Sequence, residues 1–186
     1  MFELISSPVE GCFEIRPNVY NDSRGKFVKT FHYDWFAREG LNTEWHEDFY
    51  SVSRRDVIRG LHFQVPPHDH EKLVYCVSGN VFDVVVDIRN GSPTYGMAIS
   101  FHLNSDAGNM VYIPRGLAHG FCSLTNDSVV AYKVSTVHSP MHDRGILWSS
   151  VNVDWPVSFP IISERDSKFP RLVDLISEFD FYRNNG

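Results

Sequence analysis

Apolar and polar positions alternate in short runs along most of the chain. Residues 46–53, 57–63, 71–78, 81–88, 96–103, 109–113, 119–124 and 129–136 are rich in Val, Ile, Tyr and Phe, and turn residues separate them. Such runs predict β-strands, and their regular spacing predicts a sandwich or a barrel. Ser78-Gly79-Asn80 reads as a tight hairpin turn, Asn90-Gly91-Ser92-Pro93 as a loop, and Asn104–Gly108 and Thr125-Asn126-Asp127 as further turns. Two segments have helical spacing instead. Tyr33–Glu39 is stopped by Gly40, and in Arg171–Glu178, just after Pro170, Leu172, Leu175, Ile176 and the following Phe179 recur at helical intervals. Both are read as short peripheral helices packed on an all-β body. Without an internal repeat or linker, residues 1–186 read as one domain, and only the tail Tyr182–Gly186 is expected to fray.

Composition narrows the function. A chain of 186 residues with 42% hydrophobic and 14% aromatic content can bury a core alone. The net charge of −6 argues against nucleic acid as a partner, because no basic footprint is present to neutralise phosphates. No apolar run approaches the ~18–20 residues that span a bilayer, and the first residues carry acidic rather than basic groups, so a cytoplasmic protein without membrane contact is expected. Cys12, Cys76 and Cys122 are odd in number, and the last two sit in apolar strand-like runs. That pattern speaks against disulfides and rules out a four-thiolate zinc site. Nine histidines are more than packing explains.

Gly108-x5-Pro114-x-Gly116-x2-His119 has the spacing of the second motif of cupins, where a turn points a histidine into a small jelly-roll barrel. Counting back from Gly79, the acidic metal ligand of the first cupin motif falls on Lys72; of the preceding His-x-His pair only His68 is present, with Pro66 in the other place. An ammonium where a cation would sit repels divalent ions, so a metal-free pocket that stabilises anions is expected. His68-Asp69-His70, beside Pro66-Pro67, reads as a solvated loop.

Longer motifs accumulate along the chain: Asp22-x-Arg24-Gly25-x-Phe27, Arg59-Gly60-Leu61-His62-Phe63-Gln64, Lys72-Leu73-Val74, Ile113-Pro114-x-Gly116-x-Ala118-His119-Gly120-Phe121, Tyr132-Lys133, Asp154-Trp155-Pro156 and Ser163-Glu164-x-Asp166. In content and order they resemble the dTDP-4-dehydrorhamnose 3,5-epimerase family over nearly the whole chain. The resemblance implies a jelly-roll cupin fold, the double-stranded β-helix. It also implies a homodimer whose partners exchange N-terminal segments, and an isomerase that inverts carbons of a nucleotide-linked 4-keto sugar without metal or coenzyme. The default substrate is dTDP-4-dehydro-6-deoxy-D-glucose, in deoxysugar biosynthesis for cell-surface polysaccharide such as O-antigen.

Those residue types suit that chemistry. A carbon beside a ketone loses its proton only if one group takes the proton and another holds the enolate oxygen, and inversion needs an acid on the opposite face. By resemblance His62 is the base and Asp166 fixes its tautomer. Tyr132 is the acid, and Lys72, with His119, hydrogen-bonds the enolate. Arg24 and Arg59 would grip the pyrophosphate with guanidinium forks, and Phe27 belongs to the same binding motif. The chain departs from the family on the nucleotide side: Lys29 stands where a Glu is usual, Glu47 and Phe49 where Gln and Asn are common, and His138 where an aromatic lies against the ligand. These changes raise the alternative of a monofunctional C3- or C5-epimerase acting on a CDP- or GDP-linked sugar. Two other classes remain in view: a metal-dependent cupin oxygenase or isomerase using His68, His70 and His119, and a sugar-binding cupin without catalysis.

Overall fold

Each predicted apolar run becomes a strand whose ends lie within two residues of the expectation. They are β5 (Glu47–Ser53), β6 (Ile58–Gln64), β7 (Lys72–Ser78), β8 (Asn80–Asp87), β9 (Ala98–Asn104), β10 (Met110–Ile113), β11 (Leu117–Ser123) and β12 (Ser128–Val134). Short strands not anticipated from the pattern flank them: β1 (Phe2–Ser6), β2 (Phe13–Pro17), β3 (Val19–Asp22), β4 (Gly25–Val28) and β13 (Asp143–Gly145). These carry too few alternations to be recognised, and Pro8, Gly11, Pro17 and Gly25 interrupt the N-terminal group. The computed structural model describes residues 2–181, so the tail Tyr182–Gly186 lies outside the described residues.

Two antiparallel sheets face each other, a six-stranded one in the order β1-β2-β10-β7-β12-β5 and a five-stranded one in the order β13-β6-β11-β8-β9, while β3 and β4 form a separate hairpin. Successive strands from β5 onward alternate between sheets, with β8–β9 the one consecutive pair that stays together. This is the jelly roll. It corrects the hairpin expected at Ser78-Gly79-Asn80, because β7 lies in the six-stranded sheet and β8 in the five-stranded one. The segment is a corner between sheets. Gly79 has φ +83°, and a Cβ there would stand 2.4 Å from Thr125 Oγ1, so only glycine turns the chain in this space.

Val74, Cys76, Val85, Leu103, Val111, Val130 and their neighbours fill the space between the sheets. The C-terminal segment covers the outer face of the five-stranded sheet, where Ala118 and Cys122 meet Ile146, Val151 and Phe179. This packing on both sides leaves every residue of β11 buried. Helix α1 (Tyr33–Arg38) forms as expected and seals one end of the six-stranded sheet with Trp35 and Phe36. The helix expected over Arg171–Glu178 does not form. Only Leu172–Asp174 makes a single 3₁₀ turn, with Val173 and Ile176 in solvent. So short a helix has little stability of its own, and the extended chain lets Leu172, Leu175 and Phe179 each reach the sheet. Among the described residues no helix is long and apolar enough to cross a membrane.

Candidate active site

Between the sheets opens a cavity of about 350 Å³, walled by β6 and β11 on one side and by β5, β7 and β12 on the other. In the first wall, His62 on β6 lies directly opposite His119 on β11, and the register then shifts by one residue to pair Arg59 with Phe121. Gly60 makes this possible. Its φ is +130°, and a Cβ there would stand 2.6 Å from the Gly120 Cα, so the two strands meet glycine on glycine. The Gly60 N–H donates to Asp166 Oδ2 at 3.1 Å, while Asp166 Oδ1 lies 2.9 Å from His62 Nε2.

Burial works to raise the Asp166 pKa, but the hydrogen bonds from His62 and Gly60 outweigh it and hold the carboxyl below its ordinary value. An ionised carboxylate requires an N–H opposite, so His62 carries hydrogen on Nε2. In the neutral ring Nδ1 is then the lone pair, and it has no hydrogen-bond partner among the described residues. His62 keeps 32% of its side-chain surface against 6% for Asp166, so the imidazole alone of the pair meets the cavity.

The second wall presents Lys72 from β7 and Tyr132 from β12. Lys72 Nζ donates to the His62 carbonyl oxygen at 3.1 Å and thereby ties the walls together. Burial draws its pKa down to about 8, against the opposing pull of Asp143 and Asp83. The Tyr132 ring stacks on Phe49 at 4.7 Å and meets the His119 ring edge-on at 6.1 Å. Burial pushes the Tyr132 phenol above its ordinary pKa, so it keeps its proton at neutral pH. His119 Nε2 lies 2.7 Å from Asp83 Oδ2, both side chains being buried. Burial lowers the His119 pKa in spite of that carboxylate, with Lys72 and His62 acting in the same direction. A neutral His119 therefore donates Nε2–H to Asp83 and offers Nδ1 as an acceptor.

A base held by a carboxylate on one wall thus faces a phenol and an ammonium on the other. Residues 6–174 match the family model described as dTDP-4-dehydrorhamnose 3,5-epimerase. The chain belongs to this epimerase family. It is 40% identical over 174 residues to the dTDP-4-dehydrorhamnose 3,5-epimerase of Shigella flexneri, covering 92% of this chain and 96% of that one. It is 39% identical over 161 residues to a dTDP-4-dehydrorhamnose 3-epimerase of Streptomyces niveus, covering 85% and 78%. The solved dTDP-6-deoxy-D-glucose-3,5-epimerase of Legionella pneumophila, in complex with dTDP-4-keto-L-rhamnose, matches with TM-score 0.90 at 31% identity, covering 94% of this chain and 95% of that one.

Of the site residues the sequence nominates in this epimerase, the cavity brings together His62, Lys72, Tyr132, His119, Arg59, Glu47 and His138, with Asp166 behind His62. Arg59 is braced by Ser53 Oγ at 3.0 Å and the Val52 carbonyl at 3.1 Å. Glu47 accepts the His138 backbone N–H at 2.6 Å and so pins the loop that carries His138. Arg24, Phe27 and Lys29 are not among the lining residues. Arg24 pairs with Asp22 at 2.6 Å on the β3–β4 hairpin, where Phe27 packs on Tyr20, and Lys29 follows directly after β4.

The expected solvated loop at His68–His70 is corrected as well. The His68 ring packs tilted against His142 at 4.4 Å and His70 lines the cavity, because the Gln64 and Thr136 side chains both bind the His68 carbonyl and draw the loop inward. His68, His70 and His119 each face a different partner. Among the described residues no group of three or more His, Cys, Asp or Glu side chains is placed to hold a metal ion. Asp83 and Asp143 stand outside the candidate residues of the sequence motifs; Asp143 lines the cavity and pairs with Arg165 at 2.7 Å. For Asp83 a signal existed: a carboxylate inside the run Val81-Phe82-Asp83-Val84-Val85-Val86 must find a buried partner.

Proposed function

We propose that the protein inverts C3 and C5 of dTDP-4-dehydro-6-deoxy-D-glucose to give dTDP-4-dehydro-L-rhamnose, the whole chain acting as one catalytic domain. The observation that carries this reading is the placement of His62 and Tyr132 on facing sheets, so that a sugar ring between them meets a base on one face and an acid on the other. His62 Nδ1 takes the proton from C3; the electrons of the C–H bond form a C3–C4 double bond, and the C4 carbonyl oxygen becomes an enolate. Asp166 supports the imidazolium that results. Tyr132 then protonates C3 from the opposite face, the electrons return to the C4 carbonyl, and solvent restores both groups before the same cycle at C5. A proton leaves and a proton returns, so no electron carrier takes part. The enolate hydrogen bond belongs to the Lys72 ammonium, because neutral His119 has its N–H committed to Asp83 and suits a substrate hydroxyl instead. Incubation with dTDP-4-dehydro-6-deoxy-D-glucose should give the L-rhamno product in the NMR spectrum of the sugar, and an unchanged D-gluco ring would refute the proposal.

Lys72 acts as an acid-form group whose pKa lies near 8. Raising the pH through that value removes the positive charge the enolate needs, so kcat/KM should fall on the alkaline side with a midpoint near it. Lys72→Met should lower kcat by about 10²–10³-fold, the scale of losing one preorganised donor to a developing oxyanion, and should abolish that limb. An identical alkaline limb in the variant would assign it to another group.

The nucleotide end of the site is completed, in this reading, by a second copy of the chain. Tyr50, Val52 and Val77 form an exposed apolar patch on the outer face of the six-stranded sheet, a surface suited to burial in a homodimer. The β3–β4 hairpin with Arg24 and Phe27 would then reach the partner's cavity. Arg24→Ala should raise KM about tenfold with little change in kcat, consistent with losing a charge-assisted contact. At substrate well below KM, mixed dimers of Arg24→Ala and His62→Ala protomers should exceed the summed activities of their parents, since one cavity then has an intact hairpin and an intact base. Failure of the mixture to exceed the summed activities of its parents would place Arg24 in its own chain's site.

A further inference from the structure

His70 takes no part in the steps above, yet it lines the cavity two residues before Lys72. The segment is extended there and pairs with the chain beyond β12, the Ser135 N–H donating to the Glu71 carbonyl. Alternate residues of such a segment point the same way, so His70 and Lys72 share the cavity face.

The hydrogen-bond network around His70 fixes which ring nitrogen carries hydrogen. Gln64 Oε1 accepts the Ser139 N–H at 2.6 Å, which settles the orientation of the amide and leaves Gln64 Nε2 to donate. That NH₂ donates to the His68 carbonyl at 2.8 Å, and it lies 3.2 Å from His70 Nδ1 and 3.3 Å from the Val137 carbonyl. Thr136 Oγ1, which donates to the His68 carbonyl, stands farther from Nδ1, at 3.4 Å. The nearer neighbour of His70 Nδ1 is the Gln64 NH₂, which can only donate, so Nδ1 accepts and Nε2 carries the hydrogen. Nε2 has no partner among the described residues, and it is absent from their buried polar atoms left without a hydrogen bond, so it opens to the cavity. Burial, followed by the nearby charges of Lys72 and Arg115, lowers the His70 pKa to about 2, and the ring adds a donor beside Lys72 without adding charge.

We infer that His70 is a substrate-binding residue whose Nε2–H donates to an oxygen of the bound nucleotide sugar, with Gln64 fixing the tautomer. The inference rests on the epimerase reading of the cavity and extends its binding set by one residue. The acceptor is an oxygen of the sugar or of the diphosphate, and binding experiments separate the two.

The test is calorimetric binding of dTDP-glucose, and of dTDP alone, to the full chain and to His70→Phe and His70→Gln. His70→Phe keeps a planar ring and removes the donor, and should weaken dTDP-glucose about five- to tenfold. His70→Gln restores an N–H and should bind within about threefold of the wild type. Loss confined to dTDP-glucose assigns the acceptor to the sugar, and equal loss with dTDP assigns it to the diphosphate. His70→Met replaces the Phe variant if that fails to fold. Wild-type affinity in the donor-free variant, or a Gln variant as weak as the Phe variant, would overturn the inference. Turnover is assayed separately, so a wild type that binds dTDP-glucose but leaves the keto sugar unchanged contradicts the epimerase reading while the binding series still decides the role of His70.

Discussion

His62→Ala should lower kcat by roughly 10³–10⁴-fold, the upper range for losing a general base. The fold should survive. His62 is the partly exposed member of its pair, and Asp166 keeps its hydrogen bond from the Gly60 N–H when the imidazole is gone. Circular dichroism should therefore be unchanged, and the melting temperature should fall by no more than a few degrees, about 1 kcal/mol on the scale of a lost hydrogen bond. Loss of activity together with loss of cooperative unfolding would mean that His62 serves the core and not the chemistry.

Tyr132→Phe should separate two events that the wild type couples. The substitution keeps the ring that stacks on Phe49 and meets His119, and removes only the hydroxyl. Proton removal by His62 does not need that hydroxyl, whereas delivery to the opposite face does. Net inversion should thus fall by about 10²–10³-fold, as for loss of a general acid. Wash-out of a deuterium label from C3 of the substrate should fall by much less, because His62 can exchange its proton with solvent and return it to the face from which it came. Equal losses in both assays would remove Tyr132 from the acid role and leave it as an aromatic wall.

The strands of the jelly roll are legible in the sequence because burial on one or both faces imposes alternation or an apolar run on each of them. The path between sheets is not. Ser78-Gly79-Asn80 has the residues of a hairpin turn, and what makes it a corner is the approach of Thr125 and Ser128, residues distant along the chain. The same limit governs the C-terminal segment, where helical spacing of Leu172, Leu175 and Ile176 yields to contacts with a sheet the local pattern does not contain. In the site, motif spacing identifies His62, Lys72, Tyr132 and His119 as cavity residues. The two buried partners part company: motif order identifies Asp166, whereas Asp83, which fixes the His119 tautomer by accepting its Nε2–H, belongs to none of the motifs. His70 reads in the sequence only as part of a solvated loop or as a metal ligand, because a histidine between prolines and acidic residues looks exposed until Gln64 and Thr136 are seen to draw its loop inward.

The most direct measurement follows the hydrogens. With dTDP-4-dehydro-6-deoxy-D-glucose in deuterium oxide, the account predicts that the inverted product carries one solvent deuterium at C3 and one at C5. Each incorporation should depend on His62. Inversion with the original hydrogens retained would contradict a base and an acid on opposite walls, and deuterium at C3 alone would contradict inversion at both carbons.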